Sequence, residues 1–236
     1  LDHIADGVNM IEEHLTHESS ILIIVDCDMD GICSAAMLWN YIKSIAPNAD
    51  LHYAMHEGKQ HGIGDLIDDI IEAGYNLVII PDAGSNDYEY HAALREAKIG
   101  VLVIDHHEAD HVSEYACVIN NQLCDYPTKS LSGVGMVYKF CSYIDSLLNV
   151  DYANDYLDLV ALGLIADMMD LRDFETRHLI TLGINQIRNP YFKGMTVKNS
   201  YSLGETITPF GVAFYIAPYI NAVTRCGTQE EKLILF

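Results

Sequence analysis

Val101-Leu102-Val103-Ile104-Asp105-His106-His107 is the stretch whose reading decides the fold. Four apolar residues of strand character run directly into an aspartate and two adjacent histidines, so metal-ligating side chains stand at a strand's end. Two other stretches repeat the arrangement: Ile21-Leu22-Ile23-Ile24-Val25 leads into Asp26, and Leu77-Val78-Ile79-Ile80-Pro81 leads into Asp82. Short unbroken apolar runs are what strands buried on both faces require, as in a parallel sheet whose ligand-binding groups collect at the carboxyl edge. Three strands delivering carboxylates to one edge predict a site there.

Between these runs the spacing is helical. Helices are predicted from about Asp6 to Leu15, through Ala36, Leu38, Trp39 and Ile42 until Pro47 stops the run, over Asp65 to Ala73 up to Gly74, and over Asp87 to Ala97; Leu51 to Met55 alternates as a strand does. Strand and helix in turn predict an α/β fold, a three-layer sandwich with a mostly parallel sheet. Past Asn120 the pattern becomes helical, with segments opening at Ser132-Gly133-Val134-Gly135 and running through Leu148, then Tyr156 to Met168 and Thr176 to Ile187. Asn189-Pro190 breaks the last of these, and the residues up to Phe210 are turn-rich. The expected division is a catalytic domain over 1-188 and a C-terminal extension or linker over 189-236, leading toward a second domain outside the chain. From the start at Leu1 and the apolar run Lys232 to Phe236, a fragment trimmed at both ends is the expectation.

Half of the 236 residues are apolar, enough for a substantial core. The 13 basic and 34 acidic side chains leave a formal charge of -21, the reverse of the footprint of a protein that grips nucleic acid over a wide surface. Any polynucleotide grip is then expected to be local or supplied by a part outside the chain. Six cysteines form no C-x-x-C pair, and no signal-like or membrane-length apolar stretch occurs, so a reduced, cytoplasmic setting without membrane contact is expected.

Asp26-Cys27-Asp28-Met29-Asp30-Gly31 admits competing readings. A calcium loop of the EF-hand kind needs a chelating glutamate at its twelfth position, where Met37 stands, and a helix rather than a strand in front. Haloacid dehalogenase phosphatases carry an aspartate pair that Asp28-Met29-Asp30-Gly31 imitates, but they leave the histidine pair of another strand unexplained. Solvated turn aspartates would account for any one of the three. Three at alternating positions, on one side of an extended backbone and joined by Asp82 and His106, point instead to a built site.

In order along the chain, Asp26-x-Asp28-x-Asp30-Gly31, Pro81-Asp82-Ala83-Gly84, Asp105-His106-His107 and Leu162-Gly163-Leu164-Ile165-Ala166-Asp167 resemble the four signatures of the DHH phosphoesterase superfamily. Tyr126 to Gly135, Asp158 to Gly163 and Asn221-Ala222-Val223-Thr224-Arg225 resemble its RecJ branch, the single-strand-specific 5′ to 3′ exonucleases. The likeness runs from Ile21 to Arg225. It implies a metal-dependent exonuclease of DNA repair and recombination that takes single-stranded DNA from the 5′ end, releases 5′-nucleotides by a two-metal-activated hydroxide, and works beside a helicase or single-strand-binding protein.

The cofactors implied are two divalent ions, Mn²⁺ before Mg²⁺, because carboxylates mixed with imidazole suit manganese better. By the same likeness Asp26 and Asp28 hold one ion, Asp30, His106 and Asp167 the other, and Asp82 bridges them. Related enzymes often carry a histidine at the position of Asp26. Asp105 is expected to orient a histidine, leaving His107 to donate to the substrate phosphate. Ser132 and Gly133, at a predicted helix start, are candidate phosphate contacts or a plain N-cap. Asn221 and Arg225 are further candidates, although Tyr219 stands where the branch commonly has an arginine. Of the other histidines, His14, His17, His52, His56, His91, His111 and His178 read as surface or loop residues, and the His61-Gly62-Ile63-Gly64 loop as a border of the site. Cys27 and Cys33 read as packing. Two other functions compete: a DHH phosphodiesterase for short oligoribonucleotides or cyclic dinucleotides, which suits an acidic surface, and a non-catalytic interaction module descended from RecJ.

Overall fold

A computed structural model describes residues 1–56, 60–204 and 206–236. Five strands, β1 (Ile21–Val25), β2 (Leu51–Met55), β3 (Leu77–Pro81), β4 (Gly100–Asp105) and β5 (Cys117–Asn120), form one sheet in the order β2-β1-β3-β4-β5. All its pairings are parallel. β5 has four residues, too few for a pattern to announce it in the sequence.

The strand runs look uniformly apolar because alternate residues enter different cores. Ile21, Ile23, Leu77, Ile79, Leu102 and Ile104 pack with α1 (Ile4–Thr16), α2 (Met29–Ile45), α5 (Gly133–Leu148) and α6 (Leu157–Ala166). Leu22, Ile24, Val78, Ile80, Val101 and Val103 face the smaller layer built by α3 (Ile67–Ala73) and α4 (Tyr88–Glu96). That two-sided burial is what makes the three-layer sandwich. α6, with no polar stripe, is buried along nearly its whole length and packs against α2, α5 and α7 (Phe174–Ile184).

The region after Asn189 differs from its turn-rich expectation. It folds as α8 (Pro190–Lys198), α9 (Ser200–Leu203), α10 (Pro209–Tyr215), α11 (Ala217–Cys226) and α12 (Gln229–Leu235). Pro190 opens α8 rather than merely ending its predecessor, because at the first helical position a proline loses no needed N–H; Asn189 Oδ1 accepts from Phe192 N at 3.0 Å. Asp158 Oδ2 accepts from the backbone N–H groups of Arg188 and Asn189, at 2.7 and 2.6 Å, and ties this turn to α6. Phe192, Val212, Ile216 and Ile220 are buried in the same core as the sheet's larger helical layer.

β2 and β3 lie on opposite sides of β1, so the crossover direction reverses between β1 and β3. In open α/β sheets a crevice forms at such a switch point, outside the carboxyl ends of the strands. Asp26 and Asp82 are the residues that follow those two strands.

Candidate metal centre

Register places the first ligands. Ile23 pairs with Ile79 and Pro81 with Ile104, so strand ends fall level and Asp26, Asp82 and Asp105 emerge side by side at the carboxyl edge. Asp82 has φ 67°, a left-handed conformation uncommon outside glycine, which turns the chain off β3 as its N–H is held by Ile104 O at 2.9 Å. The three aspartates of the first loop do not share an extended backbone as the sequence pattern suggested. Asp26 ends β1, Asp28 is the N-cap of α2, and Asp30 lies inside the first helical turn. Asp28 Oδ1 accepts from the N–H groups of Asp30 and Gly31 at 3.0 and 3.1 Å. Loop, cap and helix aim the carboxylates together by three different means.

Two donor sets result. One ligand atom from each of Asp26, Asp28 and Asp82 lies within 4.8 Å of the others, and the same holds for Asp30, His106 and Asp167. His106 Nε2 joins the sets, 3.2 Å from Asp82 Oδ1 and 3.5 Å from Asp167 Oδ2. Asp26 Oδ1 and Asp82 Oδ1 are both buried without a hydrogen-bond partner. Buried, orphaned carboxylate oxygens beside more carboxylates are costly unless a cation compensates them. The residues therefore fit divalent cations, and their mix of oxygen with one imidazole nitrogen is that of a manganese or magnesium site rather than a thiolate one.

Proton affinities report the crowding. Burial, then the charges of Asp30 and Asp28, push Asp82 well above the carboxylate range, and burial raises Asp30 too. Asp167 is pushed up to about 7 by burial and by Asp30 and Asp28. Burial lowers His106, keeping a neutral nitrogen available as a ligand. His107 goes the other way: hydrogen-bonded through Nδ1 to Asp105 at 2.7 Å, it is raised to about 9 and stays protonated at neutral pH, its side chain half exposed. Although burial opposes it, that bond and the His107 charge hold Asp105 below the usual range.

Two helix starts reinforce the centre. Ser132 Oγ, Gly133 N and Val134 N donate to the Asp30 carboxylate at 2.8, 2.6 and 3.3 Å. The amino end of α5, a candidate phosphate cradle in the sequence, is thus turned to a buried aspartate, whose carboxyl oxygens satisfy the same free N–H groups. A side chain at Gly133 would collide with Asp82, and one at Gly163 with Asp30. These glycines are the condition for close approach. Asn221 Oδ1 accepts from Met29 N at 2.8 Å, capping α2 across the fold, and Arg225 reaches Asp28 Oδ2 at 3.7 Å with its buried Nε unpartnered.

Three histidines sit differently from their sequence reading or sharpen it. His56 is buried, not superficial: Val25 pairs with Met55, so the residues after them, Asp26 and His56, are neighbours, with Nε2 3.9 Å from Asp26 Oδ1. The strand-end rule that found Asp26 and Asp82 would have found it had β2 been read the same way. His61 borders the site, its Nδ1 2.6 Å from Asp26 Oδ2. His91 is fully buried in α4 and lowered to about 4 by burial, a core residue and not a surface one.

The sheet is an open parallel one with carboxylate sets at its switch point, an architecture suited to divalent cations, and residues 20–164 match the model of the DHH family, N-terminal domain. The chain belongs to the DHH family. It is 42% identical over 233 residues to a putative SPbeta prophage-derived single-strand DNA-specific exonuclease, YorK, of Bacillus subtilis (strain 168), covering 98% of this chain and 40% of that protein. The single-stranded-DNA-specific exonuclease RecJ of the same organism is 27% identical over 236 residues, with 98% of this chain and 29% of that protein covered. A crystal structure of exonuclease RecJ bound to manganese superposes with a TM-score of 0.85 at 26% identity, covering 100% of this chain and 60% of that one. The chain spans less than half the length of the curated relatives it matches. Among the described residues no helix is long and apolar enough to cross a membrane.

Proposed function

We propose that this chain is the catalytic domain of a RecJ-type exonuclease that hydrolyses single-stranded DNA from its 5′ end and releases 5′-nucleotides, using two divalent cations with Mn²⁺ preferred to Mg²⁺. The observation that carries the reading is the pair of donor sets, Asp26 with Asp28 and Asp82, and Asp30 with His106 and Asp167, joined through Asp82 and His106. The names of its relatives, single-strand DNA-specific exonucleases, support the substrate class.

Cations held there would neutralise charge on the transferring phosphoryl group and make an attacking water acidic enough to be a nucleophile at neutral pH. Asp82, contributing to one set and touching the other, keeps the two sets in fixed relation. His107, protonated and steadied by Asp105, projects its remaining N–H from the rim, where it donates to a phosphate oxygen as charge develops. A cavity of about 410 Å³, bounded by His61, Gly84, Asn86, Asp105 and His107, adjoins it and has room for a terminal nucleotide. Asn221 and Arg225 flank Asp28, where Arg225 can meet the next phosphate. With a charge of -21 the remaining grip must come from elsewhere. The apolar groove of Leu164, Met168, Phe210 and Phe214, whose first two residues bracket Asp167 in the chain, offers ring faces to bases.

The test compares a long 5′-phosphorylated single strand, the same strand blocked at its 5′ end, and a dinucleotide, each with Mn²⁺. Preferential loss of mononucleotides from the free 5′ end is expected. Preference for the dinucleotide would establish the short-substrate phosphodiesterase instead, and no turnover of any substrate would establish a scaffold.

A further inference from the structure

One group of donors beside the centre has a chemistry that manganese and magnesium do not need. Cys27 Sγ lies 3.9 Å from His61 Nδ1 and 3.6 Å from its Nε2, and His61 Nδ1 is 2.6 Å from Asp26 Oδ2. One atom each from Cys27, His61 and Asp26 falls within 4.8 Å of the others. Sulfur and imidazole ligands on a tetrahedral zinc ion stand about 3.6 Å apart, and two nitrogen or oxygen ligands about 3.3 Å apart. With Nδ1 as the ring's ligand atom, the contact with the thiol has to close by about 0.3 Å and the His61–Asp26 contact to open by about 0.7 Å, both within reach of a half-exposed ring. The His61 side chain is half exposed and gives an ion an entry path, while Cys27 and Asp26 are buried behind it.

Unpartnered polar atoms lie next to this group, on the His56 side of Asp26. The other oxygen of Asp26 and Nε2 of His56 are both buried, both without a hydrogen-bond partner, and 3.9 Å apart. They share with Cys27 a void of about 10 Å³, the size of one water or ion. Lys232 also lines that void, its ammonium donating to His56 O at 2.8 Å.

We propose that Cys27, His61 and Asp26 form a separate site for a thiophilic divalent cation of the zinc class, and that its occupation inhibits the enzyme. The ion replaces the thiol proton of Cys27, which is released to solvent, and takes Nδ1 of a neutral His61 ring whose one N–H proton then sits on Nε2. Inhibition follows because Asp26 serves two sets: an oxygen drawn toward the thiolate side is withdrawn from Asp28 and Asp82. This inhibition, unlike the site itself, rests on the function proposed above.

Titrating the metal-free full chain with Co²⁺ alone tests the site, since cobalt–thiolate bonding has a near-ultraviolet charge-transfer band that carboxylate and imidazole ligands lack. Wild type should show the band, and Cys27→Ser should lose it while keeping the weaker visible bands of cobalt at the other donors. Absence of the band from wild type, or its persistence in Cys27→Ser, would overturn the proposal. Cys27→Ala replaces the serine variant if circular dichroism shows the latter misfolded; the wild-type band needs no variant. In hydrolysis assays with Mn²⁺, Cys27→Ser should keep turnover yet need roughly tenfold or more Zn²⁺ for half-inhibition, the least that loss of a ligand costs. Equal zinc sensitivity would remove the inhibitory role. A wild type inactive in Mn²⁺ would refute the exonuclease reading and leave the cobalt spectrum to decide the site.

Discussion

Asp82 concentrates what this protein asks of single residues. It is buried, held in a left-handed backbone conformation, pressed against Gly133, and crowded by carboxylates that push its proton affinity well up. A side chain kept under such conditions is strained in the empty protein and relieved by cations. Asp82→Ala should therefore reduce Mn²⁺-dependent hydrolysis to background while leaving the metal-free protein folded, and about as stable, because it removes a buried carboxyl group with an unpartnered oxygen. Residual turnover near wild type, measured by nucleotide release, would remove the two-metal assignment. Asp105 illustrates the opposite design. Four donors, Ser85 N, His106 N, His107 N and His107 Nδ1, satisfy it, which keeps it ionised and suits it to orienting His107.

Among the elements, α5 and α6 bring the centre to its final density. α5 contributes its amino end to Asp30, and α6 contributes Gly163, over which the same carboxylate lies. Gly163→Ala would drive a methyl group into Asp30 and Val134 inside a packed interior, costing about 1–3 kcal/mol as overpacking. For a chain of this size that lowers the melting temperature by roughly 2–12 °C. Because the displaced group is a ligand, the manganese concentration needed for half-maximal activity should rise as well. A variant that loses stability but keeps its metal dependence would show that α6 supports the fold without setting the position of Asp30.

Over the whole molecule, charge and cation binding are linked. In the metal-free protein Asp167, Asp30 and Asp82 retain protons that the unfolded chain gives up near pH 4. The contribution of Asp167 is fully present below that pH and is lost as pH rises through about 7, and those of Asp30 and Asp82, also raised, are lost in the same direction. His107 acts in the same sense at higher pH, its contribution being lost as pH rises through about 9. The melting temperature in chelator is thus expected to fall from about pH 5 to about pH 8, and Mn²⁺ should flatten the slope by replacing protons with cations. At neutral pH each ion at a hundredfold excess over its dissociation constant adds about 2.7 kcal/mol, or roughly 5–10 °C. A profile in chelator that is flat over this range would mean that the carboxylates are less crowded than their separations imply.

Much of this was legible beforehand for one physical reason. A strand buried on both faces must be apolar throughout, so a run such as Leu77 to Pro81 declares its own layer, and the first polar residue after it declares the edge. The α/β sandwich, its parallel sheet and the aspartates and histidine at the strand ends follow from that local rule. What local pattern cannot carry is which distant polar group meets which. That Asp30 sits in a helix turn and takes the amino end of α5, that His56 and His61 come to Asp26, and that Pro190 begins a helix were decided by tertiary packing. Burial is a property of each residue's own neighbourhood in sequence, whereas the partner of a buried charge is chosen by segments far along the chain.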